Sequence, residues 1–163
     1  MVLVKWFLIA LLVLIATAVI AGQMGALQGR PPSDLGVKQG RLKAPSLNPN
    51  SVSSQADLYP DHLQRQYAQI APLSLRSDGP SSMTKLAGVM QGMKGTKVIA
   101  SAPDYVYAQV TTPLMKYVDD VEFWLNPSTN AIEVRSASRI GRSDLGANRK
   151  RIEAVRAALA GAQ

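Results

Sequence analysis

The sequence predicts an α+β protein: a small antiparallel sheet of about four strands with helices packed on one face, preceded by one N-terminal membrane helix. Three observations predict it. Residues 6–22 form an uncharged apolar run, residues 97–136 alternate with a period of two, and apolar residues recur at three- and four-residue steps on either side of that stretch.

The apolar run reads WFLIALLVLIATAVIAG from Trp6 to Gly22, and Val2, Leu3 and Val4 extend it beyond Lys5. It is apolar on every side, unlike a core helix, and it reaches the lower edge of the length that crosses a bilayer. Lys5 suits a snorkelling position and Trp6 the headgroup level. A retained anchor and a cleaved signal segment, ending near Val19-Ile20-Ala21, both fit residues 1–22. The run exceeds the apolar stretch of an ordinary signal, which favours the anchor. Arg30, Lys38, Arg41 and Lys43 on the far flank argue for a cytoplasmic domain by charge. The very short N-terminal tail argues for export, and a periplasmic or otherwise exported domain is the expectation.

Residues 23–45 read as a Pro/Gly-rich tether and residues 46–163 as a single domain. Breakers continue to Gly79-Pro80, but Leu58, Tyr59, Tyr67, Ile70, Leu73 and Leu75 are apolar enough to pack on that domain. Ser81 or Ser82 is expected to cap a helix that buries Leu86, Val89, Met90 and Met93. Strands follow at Lys97–Ala100 and Tyr105–Thr111, with Pro103-Asp104 turning between them. Asp120–Leu125 and Ala131–Ser136 make a hairpin through Pro127-Ser128-Thr129-Asn130. That closure pairs Leu125 with Ile132 and Phe123 with Val134 on one face, and Glu122 with Arg135 on the other. A last helix from about Asp144 to Ala160 carries the stripe Leu145, Asn148, Ile152, Val155 and Leu159.

The chain has 163 residues, one domain's worth after the anchor, and a net charge of +7. Seven basic residues fall between Arg135 and Arg156, opposed by Asp144 and Glu153 alone. Such a stretch fits an anionic partner or a membrane surface, and equally a solvated helix face. There is no cysteine and one histidine, His62, so disulfides, thiol nucleophiles, His triads and multi-His metal centres lack their material.

The sequence Asp119-Asp120-Val121-Glu122-Phe123, followed by RSASRIGRSDLGANRKR over residues 135–151, resembles the domain of unknown function 1499 family. The pieces RPPSDLGV at 30–37 and VSSQA at 52–56 are similar as well. The resemblance implies a protein behind a signal or membrane segment, with no agreed activity. Relatives commonly carry a cysteine pair before the Val-Ser-Ser motif, whereas residues 44–51 here read APSLNPNS, so no thiol role operates in this chain.

Two readings of the basic cluster stand side by side. In the first, Arg139, Arg142, Gly141, Ser143 and Arg149 bind an anion, a small molecule or a lipid headgroup, beside the N-terminus of the last helix. In the second, Asp119, Arg135, Glu122, Asp144 and Asn148 form a structural network: Asp144 caps the helix and Arg139 neutralises Asp119, which alternation places on the apolar face. Glu122 and Arg135 are expected to make a surface pair, and Tyr105, Tyr107 and Trp124 an outer aromatic patch covered by segment 45–75. Asp119, Asp120 and Glu122 are split between two faces, against joint acid–base work. The leading functional expectation is a membrane-anchored envelope protein acting as a binding or accessory module. The alternatives are a hydrolase or transferase on an anionic or phosphorylated substrate, and a purely structural envelope domain. No cofactor, metal or nucleic-acid partner is expected, and protein partners are not indicated.

Overall fold

The computed structural model describes residues 2–75 and 77–161. The elements in chain order are α1 (Val2–Gln23), β1 (Ser51–Ser53), a 3-10 turn (Ala56–Leu58), α2 (Arg65–Ala68), β2 (Leu73–Ser74), α3 (Gly79–Gly92), β3 (Thr96–Ser101), β4 (Tyr105–Thr111), β5 (Val118–Asn126), β6 (Ala131–Ser138) and α4 (Ala147–Gly161). The fold is α+β. One antiparallel sheet runs in the order β1-β6-β5-β4-β3, with β2 also on β6. It holds six strands among the described residues, more than the four expected. The extra two, β1 and β2, are very short and lie in the Pro-, Ser- and Asn-rich region, where alternation has no length in which to show.

The hairpin register matches the sequence pattern. Asn126 faces Ala131, Leu125 faces Ile132, Phe123 faces Val134 and Glu122 faces Arg135. Asn130 takes the left-handed conformation that the four-residue turn requires, with φ 50°. On one face of the sheet Val106, Ala108, Val121, Phe123, Ile132 and Val134 meet Leu86 and Met90 of α3 and Ile152 and Val155 of α4. This is the core. Ile70, Leu73 and Leu75 join it from the irregular segment, while Leu58 stays exposed.

Helix ends differ from the sequence reading in two places. The cap of α3 is Asp78, whose carboxylate accepts from the Ser81 amide at 3.0 Å, and neither serine caps it. Asp precedes Gly79-Pro80, and proline in the first turn has no amide to be capped. α4 starts at Ala147 rather than Asp144, because Leu145 and Gly146 adopt left-handed conformations, φ 50° and 80°. Leu145 is therefore 88% exposed and not on the buried stripe.

Within the stretch 23–45 expected as a tether, residues 36–44 pack on the domain. Gly36 donates its amide to Glu122 at 2.7 Å, Ala44 accepts from Arg135, and Leu42 is buried. These residues cover the sheet face opposite the helices. Gly36 holds φ 95°, which glycine alone adopts without strain, and this aims its amide at the carboxylate.

α1 docks on the domain by its last turn. Gln23 donates to the carbonyls of Pro113 at 3.3 Å and Leu114 at 2.8 Å in the β4–β5 loop. A Cβ at Gly22 would lie 2.7 Å from the Met115 carbonyl oxygen, so glycine permits this approach.

Candidate functional site

β5 alternates between two chemistries, and the difference places the site. Asp119 points to the helix side at the end of the strand nearer α1. Its Oδ2 accepts from Arg151 Nη2 of α4, while Arg151 Nη1 donates to Asn148 Oδ1 and Ser136 Oγ. Asn148 also donates to the Asn50 carbonyl, to Ser138 Oγ and to Asp144 Oδ2. Asn148 is fully buried, and each atom of its amide is bonded.

Asp120 and Glu122 point to the other side. Arg139 grips Asp120 with two parallel bonds, Nε at 2.8 Å and Nη2 at 2.7 Å, the fork geometry guanidinium favours. Tyr107 adds a third bond at 2.6 Å. Glu122 accepts from Tyr105 at 2.8 Å, from the Gly36 amide and from Arg135 at 3.5 Å. Two expectations are corrected here. The partner of Asp119 is Arg151, not Arg139, because alternation along β6 puts Arg139 on the same face as Arg135 and Ala137, where it meets Asp120. The Glu122–Arg135 pair is buried, not superficial, with side chains 0% and 5% exposed, because residues 34–44 lie over it. Of the aromatic face expected under segment 45–75, Trp124 is buried while Tyr105 and Tyr107 are half-buried, and the coil bonds on this face come from Gly36 and Ala44, upstream of residue 45.

These environments tune the groups. Burial pushes the Tyr105 hydroxyl far up, reinforced by the Glu122 charge. Burial lowers Arg135 against the pull of Glu122. The Asp120 hydrogen bonds raise Arg139.

The loop from Arg139 to Gly146 closes the end of the domain nearer α1. Asp144 accepts from Tyr67 at 2.6 Å, from the Gly146 amide at 3.0 Å and from the Asn148 amide at 3.0 Å. Its carboxylate thus serves the start of α4 as the sequence led us to expect, across two intervening left-handed residues. Gly141 has φ 101° and its carbonyl accepts from Asn50 Nδ2 at 2.7 Å. Ser143 Oγ accepts from the Leu145 amide. Arg149 reaches the Tyr67 carbonyl at 2.6 Å, and Arg156 pairs with Glu153. Arg142 is exposed and forms no hydrogen bond or ion pair with the described residues.

A cavity of about 250 Å³ opens at this end. Thr112, Tyr117, Ile140, Leu145 and Ala147 form most of its wall, and Asp119, Ser138, Gly141, Ser143 and Asp144 lie along its polar side. The structure therefore gathers Gly141, Ser143, Asp144 and Asp119 in one place, leaves Arg142 nearby in solvent, and commits Arg139, Arg149, Arg135 and Glu122 to bonds elsewhere. Sequence reasoning missed Arg151, Asn50, Tyr67 and Tyr117. Arg151 was detectable, since it stands three residues after the buried Asn148 on one helix face. Asn50 comes from an irregular segment and Tyr67 from the four-residue α2, too short for periodicity to encode its contacts. Among the described residues no three His, Asp or Glu side chains converge on one point as metal ligands would.

The family model described as protein of unknown function (DUF1499) matches residues 41–159, and the chain belongs to this family. No curated protein and no solved structure gave a match. The matched span contains both sheet faces and the loop from Arg139 to Gly146, so the buried pairs and the cavity lie within the family domain.

Proposed function

We propose that this family member is a single-pass membrane-anchored accessory module, acting by binding rather than by catalysis, with its domain exported and held against the bilayer. The observation that carries the reading is the junction between α1 and the domain. α1 is 22 residues long, with mean hydropathy 2.7 over its most apolar window and none of that window buried. At 1.5 Å per residue it extends about 33 Å, enough for a hydrocarbon core of about 30 Å. Its last residues, Gly22 and Gln23, pack and bond onto the β4–β5 loop. A segment destined only for removal has no need of such a seat.

The charged side chains support binding over catalysis. Asp119, Asp120 and Glu122 are each engaged by an arginine, and Asp144 by Tyr67 and two amides. The cation left free to meet an external anion in the loop is Arg142. The full-length chain, expressed with its own N-terminus, should stay in the membrane pellet after carbonate extraction and retain Met1–Gly22 by mass. A mature chain beginning near Gly22 in the soluble fraction would overturn the anchored reading.

A further inference from the structure

We propose that the anchor-proximal end of the domain is a bilayer-contact surface: Leu47, Leu114 and Leu145 enter the interface of the leaflet from which α1 emerges, while Lys94, Lys116 and Arg142 meet the phosphates of anionic phospholipids. The inference rests on the anchored reading and names the partner of the same end of the molecule.

Strand direction fixes which residues share that end. β4 arrives there at Thr111, β5 departs from Val118, β6 arrives at Ser138, and β3 departs from Thr96, paired with Val110. β1 departs there too, with Ser51 paired to Ala137, so four connections converge: α3–β3, β4–β5, β6–α4 and the segment immediately before β1. Gly95 accepts from the Thr111 amide, which places Lys94 beside the end of β4. Leu114 and Lys116 belong to the β4–β5 loop. Arg142 and Leu145 belong to the β6–α4 loop. Leu47 lies just before Asn48 and Pro49, and Pro49 accepts from the Asp144 amide while Asn50 bonds Gly141.

Depth follows from the anchor. Gln23 ends a helix of bilayer-spanning length, so the carbonyls of Pro113 and Leu114 that it bonds lie at interface depth. The three leucines are 73%, 59% and 88% exposed, one on each of three loops. Leu145 is held outward by a left-handed backbone at φ 50°, a conformation that costs a non-glycine residue energy and gains nothing from packing in water. Chemistry follows from charge. Asp144 is the carboxylate of these four connections, and Tyr67, Gly146 and Asn148 occupy it. The exposed carboxylates Asp78 and Asp104 stand at the other end, next to Leu125 at the hairpin-turn side. A surface of spaced leucines among unopposed cations, joined to a membrane span, matches an anionic leaflet.

The test uses the full chain reconstituted in vesicles. The protein has no cysteine, so a single thiol can be placed at will. Leu145→Cys, Leu114→Cys and Leu63→Cys variants would each carry an environment-sensitive fluorophore, in phosphatidylcholine vesicles with and without phosphatidylglycerol, plus lipids bearing a shallow quencher. Leu63 is 85% exposed and sits beside Asp57, which lines the cleft at the hairpin-turn end, so it is the control. Probes at 145 and 114 should be blue-shifted and quenched, and the probe at 63 should not. The double variant Lys94→Gln, Arg142→Gln should lower the quenching of a probe at 114 in anionic vesicles, by about fivefold in contact equilibrium for each cation removed. Added salt should have the same direction of effect. Chains that float with the vesicles while probes at 145, 114 and 63 behave alike would overturn this inference and leave the anchor intact. Chains that fail to float would overturn the anchored reading, and the contact surface with it. Quenching indifferent to phosphatidylglycerol and to the double variant would overturn the phosphate contacts.

Discussion

The two faces of the sheet are buried to similar depth by different materials. On one face, α3 and α4 press Leu86, Met90, Ile152 and Val155 onto Phe123, Val121 and Val134. On the other, Gly36 and Ala44 of the covering coil bond Glu122 and Arg135, whose face also carries Asp120, Arg139, Tyr105 and Tyr107, bonded among themselves. Coil cannot cover a sheet as a helix does, because its amides and carbonyls seek partners that an apolar strand face lacks. Here the polar side chains of the strand are those partners: Gly36 binds Glu122, and Ala44 binds Arg135. The comparison teaches that a charged strand face need not be a wet one. The covering element and the covered chemistry are matched.

Breaking the apolar face should have the largest effect. Phe123 is fully buried at the centre of the helix-covered side. Phe123→Ala should cost about 3–5 kcal/mol, read as a lower urea midpoint at unchanged slope. A cost under about 1 kcal/mol would mean that the ring is not in the core.

Breaking the polar face should cost nearly as much, which is the sharper claim. Glu122→Ala would strand a buried guanidinium at Arg135, and loss of one partner from such a pair costs about 3–5 kcal/mol. The pair itself need not stabilise. Replacing Glu122 and Arg135 together by Met should recover much of that loss, since apolar groups of similar volume often substitute for buried pairs without penalty. If Glu122→Ala proves silent, water reaches this face and the coil does not seal it.

Period and register were legible in the sequence, and the covering coil was not. Alternation put Phe123 and Val134 on one side and Glu122 and Arg135 on the other, and the Pro127–Asn130 turn set which residues face each other. Nothing in residues 30–44 repeats, so their path over the sheet was not legible: composition suggested a tether, and the piece RPPSDLGV at 30–37 carried a resemblance but no path. Leu145 shows the same limit. Its spacing fits the helical stripe, but one left-handed residue ahead of Gly146 moved it into solvent. In the site, Asp144 was legible as a cap because the residue type and the position agree. That Arg139 is not the partner of Asp119 was legible, since alternation puts it on the face of Arg135, but the expectation did not carry the alternation through to residue 139; that Arg151 takes its place depends on how α4 packs on the sheet.

A smaller effect is expected where the two regions meet, at Tyr67 and Asp144. Burial pushes the Asp144 carboxyl up, but hydrogen bonds from Tyr67, Asn148 and Gly146 outweigh it and hold the group below its ordinary value. A depressed carboxyl contributes stability that is complete above its unfolded value near 4 and is lost as pH falls through the folded one. Tyr67 is pushed up to about 12, first by burial and then by Asp144. Its contribution is complete below about 10 and is lost as pH rises through about 12. Tyr67→Phe should cost about 1.5–3 kcal/mol at neutral pH, as a bond to a charged acceptor does, and should flatten the stability profile at both ends. A profile unchanged in shape would mean that the phenol and the carboxylate are not coupled.

The smallest effect belongs to a second ion pair in the covering coil. Lys43 and Asp34 meet at 2.7 Å, closer than Arg135 and Glu122 at 3.5 Å. By distance alone the exposed pair would be the stronger. By burial it is the weaker, because its side chains are 35% and 50% exposed against 5% and 0%. Water and salt screen the exposed charges, and each partner is well solvated when the other is removed. The Lys43 hydrogen bond does lower the Asp34 carboxyl, yet in solvent that shift converts to little stability. Lys43→Ala should therefore cost under about 1 kcal/mol and become silent in high salt, while Glu122→Ala keeps its cost there. Equal salt sensitivity of the two variants would show that the faces differ in residue type alone and not in access to water.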